Sequence, residues 1–219
     1  MDVTGIESNL LKLKQSSAIS NFLEELESLG PSLILGGAVR DWIYGKPPRD
    51  IDIVVDCPAS NLEWLSKYNA EKNRFKGYYL KVDGIEFDVW ALDSTWALKK
   101  DKSFERTLQV IPRTVFLTMD AVGYRLDTKE VYDSGFNHTV SNKQLGIMYE
   151  PNPFPFLCVS RALIGLVKYD LTPTTNLKNY IDEQVSRGYN KTSFDKYLEM
   201  RNIQGNFEEA MGRVSNGSR

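Results

Sequence analysis

The chain has 219 residues, 42% hydrophobic and 26% charged, with a formal net charge of −2. That is enough apolar content to bury a core in one domain, or in one domain with a small appendage, and the slightly acidic balance argues against tight binding of a polyanion through bulk charge. Two cysteines and the single histidine, His138, supply neither a disulfide framework nor a His-pair metal site, which rules out a His-Asp phosphohydrolase module.

The first residues, Met1 to Glu7, lack the basic start and apolar core of a signal peptide, and the most apolar later stretch, 154–167, is broken by Ser160 and Arg161. A cytoplasmic location without membrane contact is therefore expected. In chain order the pattern predicts a helix over 18–29 capped by Ser20, a strand over 32–35 ending at Gly36-Gly37, and a short helix from Ala38 that Gly45 and Pro47-Pro48 stop. A second strand carries Asp50-Ile51-Asp52-Ile53, and Ser60-Asn61-Leu62-Glu63 opens a helix over 60–68 as a capping box. Two strand-like runs within 77–92 meet at Asp83-Gly84, a strong hairpin signal. Residues 94–100 then read as helical, 99–106 as a charged loop, and 114–134 as an apolar stretch, a turn at 127–129 and a short strand.

From Asn152 onward helices dominate, over 154–169, 176–187, 193–201 and 206–214. The fold class is α/β (α+β), a small mixed sheet followed by a helical segment. The expected division is residues 1–150, residues 151–214, and a disordered tail at 215–219.

The chemistry concentrates in two short motifs. In Leu35-Gly36-Gly37-Ala38-Val39-Arg40-Asp41 a strand, a glycine turn and a helix start follow one another, and the backbone amides of such a turn suit a phosphate. In Arg49-Asp50-Ile51-Asp52-Ile53 the period-2 geometry of a strand puts Asp50 and Asp52 on one face and the isoleucines on the other. Adjacent carboxylates that would also meet a triphosphate favour Mg²⁺ between them. On the second strand of the hairpin, Glu86, Asp88 and Trp90 share a face, opposite Ile85, Phe87 and Val89.

In order and spacing these two motifs resemble the head domain of the poly(A) polymerase and tRNA CCA-adding nucleotidyltransferase family. The resemblance implies a fold of the DNA polymerase β type and two Mg²⁺ ions, replaceable by Mn²⁺, held by three carboxylates. It assigns Asp50, Asp52 and Asp88 as metal-binding catalytic residues, with Glu86 the second choice for the third acid. Gly36, Gly37, Arg40 and Arg49 become candidate nucleotide-binding residues, Arg40 either reaching the triphosphate or buttressing Asp41 or the metal carboxylates. The helices from residue 151 resemble a shortened neck.

The departures matter too. Where the family carries Arg-Arg-Asp-Phe-Thr-x-Asn, this chain has Thr114-Val115-Phe116-Leu117-Thr118-Met119-Asp120, so sugar contacts are reduced and a deoxynucleotide becomes admissible. The family's Asp-Pro-x-Arg-x-x-Arg shrinks to Asn152-Pro153 and Arg161, and no Glu-Asp-x-x-Arg is found, so a C-then-C-then-A programme is not expected. A minimal form without the family's body and tail, which clamp tRNA, is expected as well. Lys72, Arg74 and Lys76 interleave with Phe75, Tyr78 and Tyr79, a pattern that either grips a single strand or forms an ordinary solvated hairpin.

The expected function is thus template-independent transfer of a nucleoside monophosphate from an NTP or dNTP to an acceptor hydroxyl on a short nucleic acid or a protein. Short oligonucleotide synthesis in bacterial antiviral defence is the first reading. Toxin-like nucleotidylation of tRNA or protein is the alternative, and a nucleotide-binding regulatory module or degenerate scaffold comes next. Tight tRNA binding is not expected, and a homo-oligomer or a partner subunit could complete the acceptor site.

Overall fold

The computed structural model describes residues 4–73 and 75–216. The chain packs as two compact units, one formed by residues 4–115 and 120–134, the other by 116–119 and everything described from Gly135 onward. The second unit thus begins ahead of residue 151.

The first unit starts with α1 (Thr4–Leu13), where the sequence pattern placed no element, anchored by buried Ile6 and Leu10. Next comes α2 (Ser17–Leu29), whose cap is Ser16 rather than Ser20: the Ser16 hydroxyl accepts from the Ile19 amide at 3.4 Å, while Ser20 donates to Glu24. Then follow β1 (Ser32–Leu35), α3 (Gly37–Ile43) and β2 (Asp50–Val55). Residues 59–68 wind as a 3₁₀ helix behind Pro58, without the side-chain cap that Ser60 was expected to provide. Its tighter i→i+3 bonding begins at the Pro58 carbonyl, which accepts from Asn61, and so leaves Ser60 inside the first turn.

The strands β3 (Glu71–Lys72), β4 (Tyr78–Val82) and β5 (Ile85–Ala91) come next, then α4 (Trp96–Lys100), β6 (Val122–Arg125) and β7 (Val131–Asp133). Asp83 and Gly84 both hold positive φ, 47° and 82°, so the hairpin turn has the hand that matches the strand twist, and Val82 pairs with Ile85.

These strands form one seven-stranded sheet in the order β3-β4-β5-β2-β1-β6-β7. Within this sheet the β2–β5 pair is parallel and the other described ladders are antiparallel. One sheet face is apolar throughout its centre: Ile51, Ile53, Phe87 and Val89 are buried, with the Phe22 ring of α2 packed at a tilt of 57° and a centroid distance of 4.8 Å against the Phe87 ring. The opposite face changes character along the strands. Leu33, Val54 and Trp90 lie in one cross-strand row that packs with Leu92, Leu98, Leu108 and Ile111, whereas the neighbouring rows hold carboxylates.

The second unit contains α5 (Phe136–Asn142), β8 (Gln144–Leu145), α6 (Pro155–Lys168), β9 (Thr172–Pro173), α7 (Thr175–Ser186), α8 (Lys191–Arg201) and α9 (Phe207–Asn216). Its core gathers Val159, Leu163 and Leu166 of α6 with Leu177 and Ile181 of α7, Phe194 of α8 and Val214 of α9. The last helix takes in Ser215 and Asn216, which the sequence reading assigned to a disordered tail, because α9 carries on past Val214; Gly217, Ser218 and Arg219 lie outside the described residues. Among the described residues no helix is long and apolar enough to cross a membrane.

Candidate functional site

Two cross-strand rows of the first unit carry the acids. In the first, Tyr79 of β4, Asp88 of β5, Asp52 of β2 and Leu35 of β1 stand side by side. In the second, Lys81, Glu86 and Asp50 do the same one pleat away. Side chains paired across a ladder share a face, with strands about 4.8 Å apart, so Asp52 neighbours Asp88 and Asp50 neighbours Glu86. Burial agrees: all four acids are half-buried, while the residues between them, Ile51 and Phe87, are buried on the other face.

Several of these acids have partners. Arg49 donates to Asp50 through Nε at 3.2 Å and closer still through Nη2. The Asp88 carboxylate accepts from Asn73 Nδ2 at 3.1 Å. Tyr79 stays exposed at the edge of the row, and its hydroxyl is pushed above the ordinary phenol range first by burial, then by its hydrogen bond to Glu86 and by the negative charges of Glu86, Glu71 and Asp50. Among the described residues no three His, Cys, Asp or Glu side chains converge closely enough to hold a metal ion. The arrangement offers paired carboxylates rather than a closed cage. That donor set is hard oxygen throughout, which fits Mg²⁺ when one or two carboxylates are joined by substrate phosphates.

Beside Leu35 the chain turns at Gly36, where φ is +62° and ψ −110°, a combination open to glycine alone. The Gly36 amide donates to the Val122 carbonyl of β6 at 2.8 Å, and its carbonyl accepts from Arg40 N at 2.9 Å. That amide is therefore committed to the sheet, and what Gly36 contributes is the turn itself. Gly37 starts α3, and a Cβ there would stand 3.6 Å from Arg40 Nη2.

Arg40 lies under this turn. Its Nε donates to Asp41 at 2.9 Å and its Nη1 to Asp120, two carboxylates only 5% and 4% exposed. Of the two roles open to Arg40 in the sequence, the buttress is the one with geometry behind it, and it reaches Asp120 besides Asp41. Sequence reasoning missed the Arg40–Asp120 and Asn73–Asp88 contacts, since neither pair shares an element or a period. Arg74, one of the cations interleaved with aromatics, lies outside the described residues.

No protein-family model and no curated protein sequence matches the chain. Solved structures do. An apo CCA-adding enzyme superposes with a TM-score of 0.68 at 19% identity, covering 100% of this chain and 54% of that one. A CCA-adding enzyme in complex with ATP gives 0.66 at 20% identity, with the same 100% and 54% coverage. The Thermotoga maritima CCA-adding enzyme complexed with tRNA gives 0.63 at 18% identity, covering 90% of this chain and 51% of that one.

The fold is thus that of a nucleotidyltransferase head, with its mixed central sheet. More particularly, it is the fold found in the CCA-adding tRNA nucleotidyltransferases. The chain spans about half the length of these structures.

Proposed function

We propose that this protein is a template-independent, Mg²⁺-dependent nucleotidyltransferase that moves a nucleoside monophosphate from an NTP or dNTP to an acceptor hydroxyl and releases pyrophosphate. The observation that carries the reading is the parallel β2–β5 pairing, which sets Asp52 against Asp88 and Asp50 against Glu86 on one face, next in the sheet to the strand that ends in the Gly36 turn. The solved relatives named for their complexes with CTP, ATP and tRNA support it.

In this reading the paired carboxylates of Asp50, Asp52 and Asp88 would hold Mg²⁺ once a triphosphate supplies the remaining oxygen ligands, and Mn²⁺ could replace it. When bound there, Mg²⁺ would lower the pKa of the acceptor hydroxyl and offset charge on the leaving pyrophosphate. Asp88 works on the acceptor side. Gly37, at the start of α3, offers its backbone to the triphosphate, and Gly36 shapes the turn that lets it do so. Arg40 holds the turn from below through Asp41 and Asp120. Arg49 neutralises Asp50 and is placed to exchange that partner for a phosphate.

The first unit is the head and α6–α9 the neck of such an enzyme, acting in the cytoplasm. A formal net charge of −2 disfavours tight binding of tRNA by this chain, and points to a short nucleic acid end or a protein hydroxyl as acceptor. Synthesis of short oligonucleotides in antiviral defence is one biological setting for that chemistry.

The test is incubation with each NTP and dNTP plus Mg²⁺, reading pyrophosphate release and the masses of nucleotides, protein and added oligonucleotides. Release that Asp52→Asn abolishes is the expected result. Absence of release with every nucleotide and acceptor overturns the reading.

A further inference from the structure

The segment between β3 and β4 is tied to the carboxylate row by one side chain. The Asn73 amide and carbonyl close the segment on itself, the amide donating to Gly77 O at 2.8 Å and the carbonyl accepting from Lys76 N at 3.0 Å. The Asn73 side chain then does two different things at once. Its Oδ1 accepts from the backbone amides of Phe75 at 2.9 Å and Gly77 at 3.0 Å, and its Nδ2 donates to Asp88 Oδ1 at 3.1 Å.

This orientation is the chemically required one. Two backbone N–H groups need an acceptor, so they fix the oxygen toward the segment, and the nitrogen is left to face a carboxylate that can only accept when ionised. A flipped amide would set two donors against N–H groups and an oxygen against Asp88. Space is also built for it. A Cβ on Gly77 would stand 3.0 Å from Asn73 Nδ2, 3.2 Å from Trp90 Cβ and 3.3 Å from Val89 O, so glycine at 77 lets the Asn73 amide lie down over β5. Neither asparagine nor glycine is required by a two-residue β3 for its own sake.

We propose that Asn73 is a positioning residue for Asp88: it fixes the carboxylate's orientation by a hydrogen bond whose donor amide is itself held by the backbone amides of Phe75 and Gly77. The inference rests on the proposed transferase reading for its catalytic consequence, and on hydrogen bonding alone for its structural one. Asn73→Asp separates the two jobs. It keeps an oxygen for Phe75 and Gly77 but turns an oxygen toward Asp88 in place of the donor, whereas Asn73→Ala loses both.

The experiment combines steady-state kinetics with side-chain amide NMR on the full chain. With Asn73→Asp, kcat should fall about 10- to 100-fold, the range seen for groups that orient metal ligands, while KM for the triphosphate stays within about twofold. The Phe75 and Gly77 backbone amides should stay protected in Asn73→Asp and lose protection in Asn73→Ala. A kcat within about twofold of the parent in Asn73→Asp, set beside a loss in Asn73→Ala, would show that Asn73 serves only its own segment and would overturn the proposal.

A chain that turns over no nucleotide refutes the transferase reading and leaves the contact itself still decidable. The Asn73 side-chain amide protons should be protected from exchange in the parent and released in Asp88→Ala, with Phe75 and Gly77 unchanged. Equal exchange in both proteins overturns the orienting contact whatever the activity.

Discussion

Asp52 and Asp88 face each other across the parallel β2–β5 ladder, on the half-buried face of a sheet whose other described ladders are antiparallel. Like charges directly opposite on a sheet are destabilising. The fold therefore tolerates a repulsion that an asparagine would remove, and this separates function from stability. Asp52→Asn and Asp88→Asn should each cut pyrophosphate release by more than about a hundredfold, beyond the loss typical of groups that only orient a metal ligand. Both should melt at or slightly above the parent temperature. Asp50→Asn should be equally inactive but lose its pairing with Arg49. Near-normal turnover in Asp50→Asn or Asp52→Asn refutes the metal assignment, and an active Asp88→Asn beside a dead Glu86→Gln reassigns the third acid to Glu86.

Arg40 and Asp120 form a buried ion pair that joins α3 to the segment entering β6, with Asp41 as the second acceptor. Removing one member of a buried pair strands the other, at a cost of about 3–5 kcal/mol where burial is complete. Arg40 is 14% exposed at its side chain, so the lower part of that range applies. Asp120→Ala should lower the urea midpoint without changing the slope. Replacing Arg40, Asp41 and Asp120 together with apolar residues should recover part of the loss, and a triple mutant as unstable as the sum of the singles would deny the coupling.

The two motif glycines should respond differently to alanine. At Gly36 a side chain meets a forbidden φ of +62° and the Asp120 carbonyl at 3.3 Å, so Gly36→Ala should cost about 1–3 kcal/mol. At Gly37 the backbone is helical and the nearest atom is Arg40 Nη2 at 3.6 Å, ordinary contact distance. Gly37→Ala should be within about 0.5 kcal/mol of the parent in thermal unfolding, as for substitutions away from strained features. Equal destabilisation at both positions would remove the special role of the Gly36 turn.

What the sequence revealed was periodic or local. Period-2 alternation placed Asp50 with Asp52 and Glu86 with Asp88, and Asp83-Gly84 announced its turn, because each signal lives within a few residues. The pairing of β2 with β5 could not be read that way, since residues 56–84, with the first strand of the hairpin among them, intervene and only tertiary packing chooses the register. The same holds for Asn73 against Asp88 and for Arg40 against Asp120. Helix starts failed for a smaller reason: Ser16 and Ser20 are both competent caps, and the 3₁₀ geometry behind Pro58 defeats a rule made for α-helices. The α1 helix was hidden because two buried residues, Ile6 and Leu10, carry its whole apolar signal.

The second unit should be alkali-sensitive. Burial pushes the Cys158 thiol up from its ordinary 9.0 to about 12, against the weaker pull of Arg161, and burial also pushes the Tyr189 hydroxyl up from 10.0 to about 12. Both groups are neutral in the folded state and ionise more readily when unfolded. Their contribution is therefore fully present below the unfolded values and is lost as the pH climbs from about 9 toward 12. Melting temperature should be flat from pH 7 to about 9 and fall above it, and Cys158→Ser should flatten the early part of that fall. Cys57, buried and raised in the same direction, should share with Cys158 a slow reaction with thiol reagents that becomes fast on unfolding. Rapid labelling of either thiol in the native protein would contradict this burial.

The hydroxyl of Thr118 accepts from Thr139 at 2.6 Å and from the Gly146 amide at 3.0 Å within the second unit, and the Asp120 carboxylate is bound to Arg40 within the first. Each is the residue that the resemblance would offer for a ribose, and each is engaged by its own surroundings. A site built to hydrogen-bond a hydroxyl rejects the analogue lacking it by about 10⁴-fold, because its polar groups are then left unpaired. Groups already satisfied by the fold suffer no such loss. ATP and dATP should therefore compete with kcat/KM values within about tenfold of each other, and Thr118→Val should alter stability more than sugar preference. A preference for ATP beyond about a thousandfold would show that a hydroxyl contact is made elsewhere in the site, and would return ribonucleotides alone as the substrate class.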